Sequence, residues 1–255
     1  MPTKCDARVI EVKDLTKRFG EFTAVDCLSF SVRAGQIFGL LGANGAGKTT
    51  TIHLMLGLTT PTHGEIRILD QDMRAHRREI LQRVNFSSAY VSLPYNLTVL
   101  ENLNIFAMLY GVANRRKKIA ELLERLEIAN CAGKITGSLS SGQLTRLSLC
   151  KALLNDPEVL FLDEPTASLD PDIAAKVRAA LLGIQVDCGA TIIYTSHNML
   201  EVEALCDEVI FLSRGKVAAK GSPAEILRAA ASDSLEDVFI SIARDGELIP
   251  KVGSV

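Results

Sequence analysis

The chain contains no tryptophan, and aromatic residues make up only 5% of its 255 positions. That leaves few platforms on which the bases of a single-stranded nucleic acid could stack. An excess of one charge is also lacking. Lys and Arg number 28 against 30 Asp and Glu, a net charge of −2 at pH 7. A general nucleic-acid binder needs a basic excess to neutralise phosphates, so no nucleic-acid partner is expected. No apolar run reaches the ~20 residues that a membrane-spanning helix needs. The most apolar candidate, Leu103–Val112, is far too short. The N-terminus carries Lys4, Asp6 and Arg8 where a secretory leader would have its apolar stretch. The six cysteines (Cys5, Cys27, Cys131, Cys150, Cys188, Cys206) show neither a CxxC pair nor ligand-like spacing. They read as reduced core residues of a cytosolic protein, not as disulfides or a zinc site.

Apolar residues, by contrast, are plentiful at 47%. That is too many for a disordered chain, and the length allows one large α/β domain or two small ones. Short β-like runs fall at Arg8–Val12, Phe30–Val32, Gln36–Leu41, Glu65–Leu69 and Val84–Phe86. Further ones follow at Val159–Leu162, Thr191–Thr195 and Val209–Leu212. Helix-like stretches lie at Thr49–Leu58 and Ile173–Leu182. Strands alternating with helices predict a mostly parallel sheet with crossovers. The block from about Leu97 to Leu154 changes character. Ile119, Leu122, Leu123 and Leu126 recur at helical spacing, which predicts a helical insertion. Near the C-terminus Leu235, Val238, Phe239 and Ile242 form one apolar helix face.

One segment carries clear chemistry. Gly42-Ala43-Asn44-Gly45-Ala46-Gly47-Lys48-Thr49 fits GxxxxGK[ST], between an apolar strand and a helix as that motif requires. The glycines let backbone N–H groups close around phosphates, and the helix N-terminus adds positive potential. Lys48 is placed to reach the β- and γ-phosphates, Thr49 to ligate Mg²⁺, and Thr50 follows in the same first turn. The second segment, Val159–Glu164, is an apolar run ending in two acids, as a buried parallel strand does at its ligand-facing end. Asp163 is placed to hold Mg²⁺ directly or through water, and Glu164 to polarise an attacking water as general base.

With these residues in hand the sequence resembles the ATPase subunit of an ATP-binding cassette (ABC) transporter. Leu139-Ser140-Ser141-Gly142-Gln143 is similar to that family's LSGGQ signature, and Ala167-Ser168-Leu169-Asp170 to its D-loop. Thr195-Ser196-His197 resembles the switch histidine, and Phe19 matches the aromatic that stacks on adenine. The resemblance covers about residues 8–222. It implies a P-loop NTPase (RecA-like) α/β core with a mostly parallel sheet, an N-terminal antiparallel β subdomain and an inserted α-helical subdomain. The implied domain spans 1–222, with core segments 8–88 and 155–222, a helical lobe at about 89–154, and a short helical tail at 223–255. It implies ATP and Mg²⁺ as ligands. Two copies, or one copy and a paralogous subunit, would pair head to tail. ATP would then lie between one Gly42–Thr49 loop and the other protomer's Ser140, Gly142 and Gln143, with Asp170 alongside. His197 would contact the γ-phosphate and support the geometry of Glu164 and water.

Two positions depart from the family pattern. Alignment on Leu97-Thr98-Val99 puts Ala89 where the family has a Gln that touches Mg²⁺ and the attacking water, and no Gln occurs between Arg83 and Gly142. An Ala cannot ligate a metal. Ser87, Ser88 or a water would have to substitute, so slow or weakly coupled hydrolysis is expected unless this branch tolerates the position. Ser141 replaces the commonest Gly of the signature, a milder change because Gly142 is kept.

The resemblance also implies a separate transmembrane permease subunit and a peripheral position on the inner face of the cell membrane. The segment Ala89–Tyr110, with Tyr90, Tyr95, Phe106 and Tyr110, is the expected docking surface. Ser234–Ile240 resembles the closing SLEDVF-type helix of type-two exporters, which move drugs, lipids or polysaccharides outward, and Thr195–Ala204 resembles the same branch. The alternative is an ABC ATPase of the assembly-scaffold type that works without a membrane subunit.

Overall fold

A computed structural model describes residues 7–88, 93–167 and 169–248. The chain divides into two compact units, Met1–Ile80 with Thr191–Val255, and Leu81–Ala190.

The first unit opens with two long antiparallel strands, β1 (Arg8–Phe19) and β2 (Phe22–Arg33). Strand β1 also pairs with β4 (His63–Ile68), which pairs with the two-residue β5 (Gln71–Asp72). The sequence pattern suggests shorter strands, because the register of this pair shifts at several points and breaks the in–out alternation. Asp14 and Cys27 adopt positive φ (48° and 53°), and the register shifts around them. Such bulges displace the alternation without ending the ladder. The Asp14 N–H donates to Ser29 Oγ at 2.8 Å and the Cys27 N–H to Thr16 Oγ1 at 3.1 Å, so side chains serve the displaced backbone.

Strand β3 (Ile37–Gly42) is buried along its whole length and is flanked by parallel β8 (Thr191–Thr195) and parallel β9 (Glu208–Ser213). A continuous apolar run is what a strand covered on both faces requires. Beyond β9 lies antiparallel β10 (Lys216–Gly221), which the pattern did not single out. Its residues are mostly small or charged, and the Arg214-Gly215 turn, with φ of 48° and 80°, is what creates the hairpin. Helix α1 (Lys48–Met55) packs on β2 and β3. It stops short of the expected Leu58 because Gly57 turns left-handed at φ 63° and ends the helix. Helix α7 (Met199–Leu205) joins β8 to β9, and α8 (Pro223–Ala230) and α9 (Leu235–Asp245) close the described chain. Helix α9 packs on α7, α8, β3 and β9. The short α2 (Arg77–Gln82) reaches the boundary of this unit.

The second unit holds a parallel pair, β6 (Val84–Ser88) and β7 (Val159–Asp163), and the helices α3 (Val99–Leu109), α4 (Arg115–Arg125), α5 (Ser141–Ala152) and α6 (Pro171–Cys188). Helix α3 begins with a capping box between Thr98 and Glu101. The same bonds hold the Glu101 carboxyl below the usual carboxylate range. Arg83 grips Glu158 through two nitrogens, at 2.5 and 2.7 Å, where the chain enters β6 and β7. Helix α6 outruns its expected end at Leu182 and stops only at Gly189, which is left-handed at φ 63°.

The cysteines need one correction. Cys131, Cys150 and Cys206 are buried, but Cys27 and Cys188 are exposed, one on a bulge and the other in the last turn of α6. The five described are all free thiols, and Cys5 lies outside the described residues. Burial pushes the Cys150 thiol up to about 12.

Candidate functional site

In the first unit, β3 delivers the chain to a turn that an L side chain would disrupt. Gly42 sits at φ 147°, and a Cβ there would meet the Leu212 carbonyl oxygen at 2.4 Å. Gly47 ends the loop at φ 103°, where a Cβ would meet the Ala24 carbonyl oxygen at 2.6 Å. Between them Ala43 is half-buried, Asn44 and Gly45 are exposed, and the Ala46 N–H closes a turn onto the Ala43 carbonyl at 3.1 Å. Helix α1 starts at Lys48, so its first N–H groups point out of the helix end without intrahelical acceptors. The Lys48 ammonium is buried and donates to the carbonyls of Gly42 at 2.6 Å and Ala43 at 3.2 Å. A buried cation and a helix N-terminus thus meet at one glycine-lined loop, an arrangement suited to a polyphosphate. Thr49 is exposed and Thr50 half-buried in the first turn of α1.

Also in this unit, Phe19 ends β1 with half its surface exposed, and Lys17 Nζ lies 4.8 Å from its ring centre. His197 is exposed just beyond β8. The turn that carries it is fixed from below by Glu201, which the sequence pattern did not single out. Glu201 is buried and accepts from Tyr194 Oη at 2.9 Å and Ser196 Oγ at 3.3 Å. Asn198 caps α7 by accepting from the Leu200 and Glu201 N–H groups. Glu201 is one of two acids in this otherwise apolar helix, and nothing in the sequence separates it from Glu203.

In the second unit, Asp163 is buried at the carboxyl end of β7. Glu164 follows with φ 53°, a left-handed conformation that turns its side chain out of the strand's alternation. Ser140 and Gln143 form a reciprocal capping box at the start of α5. Gln143 Oε1 accepts from the Ser140 N–H at 3.0 Å, and Ser140 Oγ accepts from the Gln143 N–H at 3.4 Å. Capping uses a lone pair of the Ser140 hydroxyl, not its proton. Gly142 lets α5 close on α6, since a Cβ would meet Ile173 Cγ2 at 2.9 Å. Asp170 is the exposed N-cap residue of α6. Ser168 of the D-loop match lies outside the described residues, as do Ala89 and Tyr90.

The expected docking segment is apolar and open where it is described. Tyr95, Leu100, Ile105, Met108 and Leu109 are exposed, and the rings of Phe106 and Tyr110 lie 6.1 Å apart. No helix among the described residues is long and apolar enough to cross a membrane.

Comparison with known proteins identifies a family. A family model described as ABC transporter matches residues 25–167. A shorter model, described as AAA domain, putative AbiEii toxin, Type IV TA system, matches residues 136–203. The chain is 41% identical over 221 residues to the Nod factor export ATP-binding protein I of Ralstonia nicotianae, covering 86% of this chain and 68% of that protein. It is 38% identical over 244 residues to the probable multidrug ABC transporter ATP-binding protein YbhF of Escherichia coli, covering 93% of this chain but 42% of YbhF. Among solved structures, one described as the ATP-binding subunit of an ABC transporter superposes with a TM-score of 0.84 at 26% identity, covering 92% of this chain and 99% of that one.

Proposed function

The chain belongs to the ATPase subunits of the ABC transporter family, and from that premise we propose that it is the ATP-binding and hydrolysing motor of a transporter whose membrane subunit is a separate chain. The observation that carries this reading is the Gly42–Lys48 loop, with its buried ammonium at the mouth and the α1 N-terminus behind it. The two relatives' names, multidrug transporter and Nod factor export, favour outward transport. The apolar face of α3, with Ile105, Met108 and Leu109 exposed, is the surface we assign to the membrane partner.

The residues divide by role. Loop backbone groups and Lys48 bind the β- and γ-phosphates, and Phe19 stacks on the adenine. Thr49 and Asp163 offer a hydroxyl and a carboxylate, the hard oxygen ligands that suit Mg²⁺. That ion, when bound, neutralises charge on the phosphates. Glu164 takes the proton of the attacking water, and His197 donates to the γ-phosphate. A second copy or a paralogue, paired head to tail, brings Ser140, Gly142 and Gln143 to the same γ-phosphate. The spare Ser140 proton and the α5 N-terminus are the groups that stabilise charge there. Asp170 lies at the edge of that contact. Binding of ATP closes the pair, and hydrolysis releases it.

The test is nucleotide affinity and turnover of the full chain in Mg-ATP. Lys48→Ala should weaken binding of a fluorescent ATP analogue by more than about tenfold, the value of one charge-assisted contact to phosphate. Unchanged affinity would overturn the assignment of the loop. Membrane attachment is tested separately, by whether the protein sediments with membranes and is released by washing.

A further inference from the structure

Helix α9 lies close to two of the elements to which the proposed reaction assigns phosphate contacts. Its buried face is Leu235, Val238 and Ile242, and its start is held by Glu203 of α7, whose Oε1 accepts the Leu235 N–H at 3.1 Å. Phe239 is only half-buried in this face. Its ring presents edge-on to His197, with centroids 6.5 Å apart and planes at 75°, and it also meets Phe211 of β9 at 6.4 Å. Phe239, Ile242 and Ala243 form one wall of a concavity of about 140 Å³, and Gly42–Ala46 of the phosphate loop form another. The Glu201 and Asn198 bonds fix the backbone that carries His197. They leave the orientation of its exposed ring to side-chain contacts.

We infer that Phe239 is a positioning residue for His197, holding the imidazole by an edge-to-face contact in the orientation from which it reaches the γ-phosphate; this rests on the role given to His197 above. An aromatic pair of this geometry biases a rotamer population by about two- to tenfold. Loss of this contact lowers the fraction of His197 rings held in the competent orientation. Nucleotide affinity should be spared, because the loop and Lys48 supply it.

The experiment uses the full chain and five forms: wild type, Phe239→Leu, Phe239→Tyr, His197→Ala, and Phe239→Leu with His197→Ala. Leu keeps the apolar packing of α9 and removes the ring, and Tyr restores a ring. Phe239→Leu should lower kcat for Mg-ATP by about two- to tenfold with KM changed less than about twofold, and Phe239→Tyr should recover most of it. In the His197→Ala background Phe239→Leu should cost nothing further. The His197 ring-proton resonance, assigned by its loss in His197→Ala among the four histidines, should move when Phe239 becomes Leu. An equal loss in both backgrounds, or an unmoved resonance, overturns the inference. If His197→Ala itself leaves turnover intact, the role of His197 in hydrolysis is wrong, and the resonance alone decides whether Phe239 orients the ring.

Discussion

The Lys151 ammonium donates to the Phe86 carbonyl at 2.9 Å, tying the helix that starts after Ser140 to the strand that ends one residue before Ala89. The same nitrogen lies 5.8 Å from the centre of the Phe106 ring on α3. One lysine therefore joins the signature helix, the strand entering the Gln-less segment, and the helix with the open apolar face. Burial pushes its pKa down from 10.5 to about 8.

That depression has a defined sign. Between about pH 8 and 10.5 the folded chain holds Lys151 neutral while the unfolded chain holds it protonated. The unfolded state binds more protons there, so stability rises with pH across that window and is flat below it. Urea unfolding of wild type against Lys151→Met at pH 7 and pH 10 isolates the contribution, because all other titrations are shared. The difference should shift in favour of wild type at the higher pH, by on the order of 1–3 kcal/mol. A difference independent of pH would show that the ammonium stays charged in the fold.

Gly142 is required by packing, not by backbone strain. Its φ is ordinary, and the constraint is Ile173 Cγ2, 2.9 Å from where a Cβ would stand. Alanine in a helix gains about 0.5–1 kcal/mol over glycine, but overpacking of a methyl into a filled contact costs about 1–3 kcal/mol. Gly142→Ala alone should therefore destabilise. With Ile173→Ala also present it should become stabilising. Thermal melts of the four forms of the cycle measure this, and additive effects would mean that α5 and α6 do not meet at this point.

Much of this was legible in the chain, because the informative features are local. The loop is written in consecutive residues, since Gly42 and Gly47 hold backbone conformations with no room for a Cβ, which lets backbone N–H groups fold around phosphate. The apolar run of β3 announces a strand covered on both faces. What stayed hidden depends on partners distant in sequence. The bulges at Asp14 and Cys27 shift alternation without a breaker residue, and β10 exists only because a two-residue turn returns the chain to β9. Glu201 reads as a surface charge on a helix until Tyr194 and Ser196 are seen to donate to it. The contact of Phe239 with His197 spans 42 positions, and no periodicity encodes it.

Glu164 combines a proposed chemical role with a strained backbone. At φ 53° it pays a penalty that glycine would not. Two substitutions that both remove the carboxylate separate these effects. Glu164→Gly should be more stable than Glu164→Ala by about 1 kcal/mol in denaturant unfolding, while neither turns over ATP. Glu164→Gln keeps shape and removes the base. It should bind ATP and elute as a dimer in gel filtration at saturating Mg-ATP. A monomeric Glu164→Gln protein would contradict either the head-to-tail pairing or the role of this residue.

Position 89 offers the sharpest test of how the sequence departs from its family. The side chain expected there supplies an amide oxygen, a hard ligand that can reach both the ion and the attacking water. Ala89 supplies nothing, and the neighbouring Ser87 and Ser88 are both buried in β6. If the missing ligand limits the reaction, Ala89→Gln should raise Mg-ATP turnover by about tenfold or more, against the roughly hundredfold that one well-placed polar contact to the reacting groups supplies. Affinity for nucleotide should stay within about twofold, because the loop and Lys48 are untouched. The same variant should respond more strongly to the membrane subunit, since the residue follows directly on β6, which Lys151 links to α3 and α5. Unchanged turnover, with unchanged stimulation by the partner, would mean that Ser87, Ser88 or an ordered water already does this work.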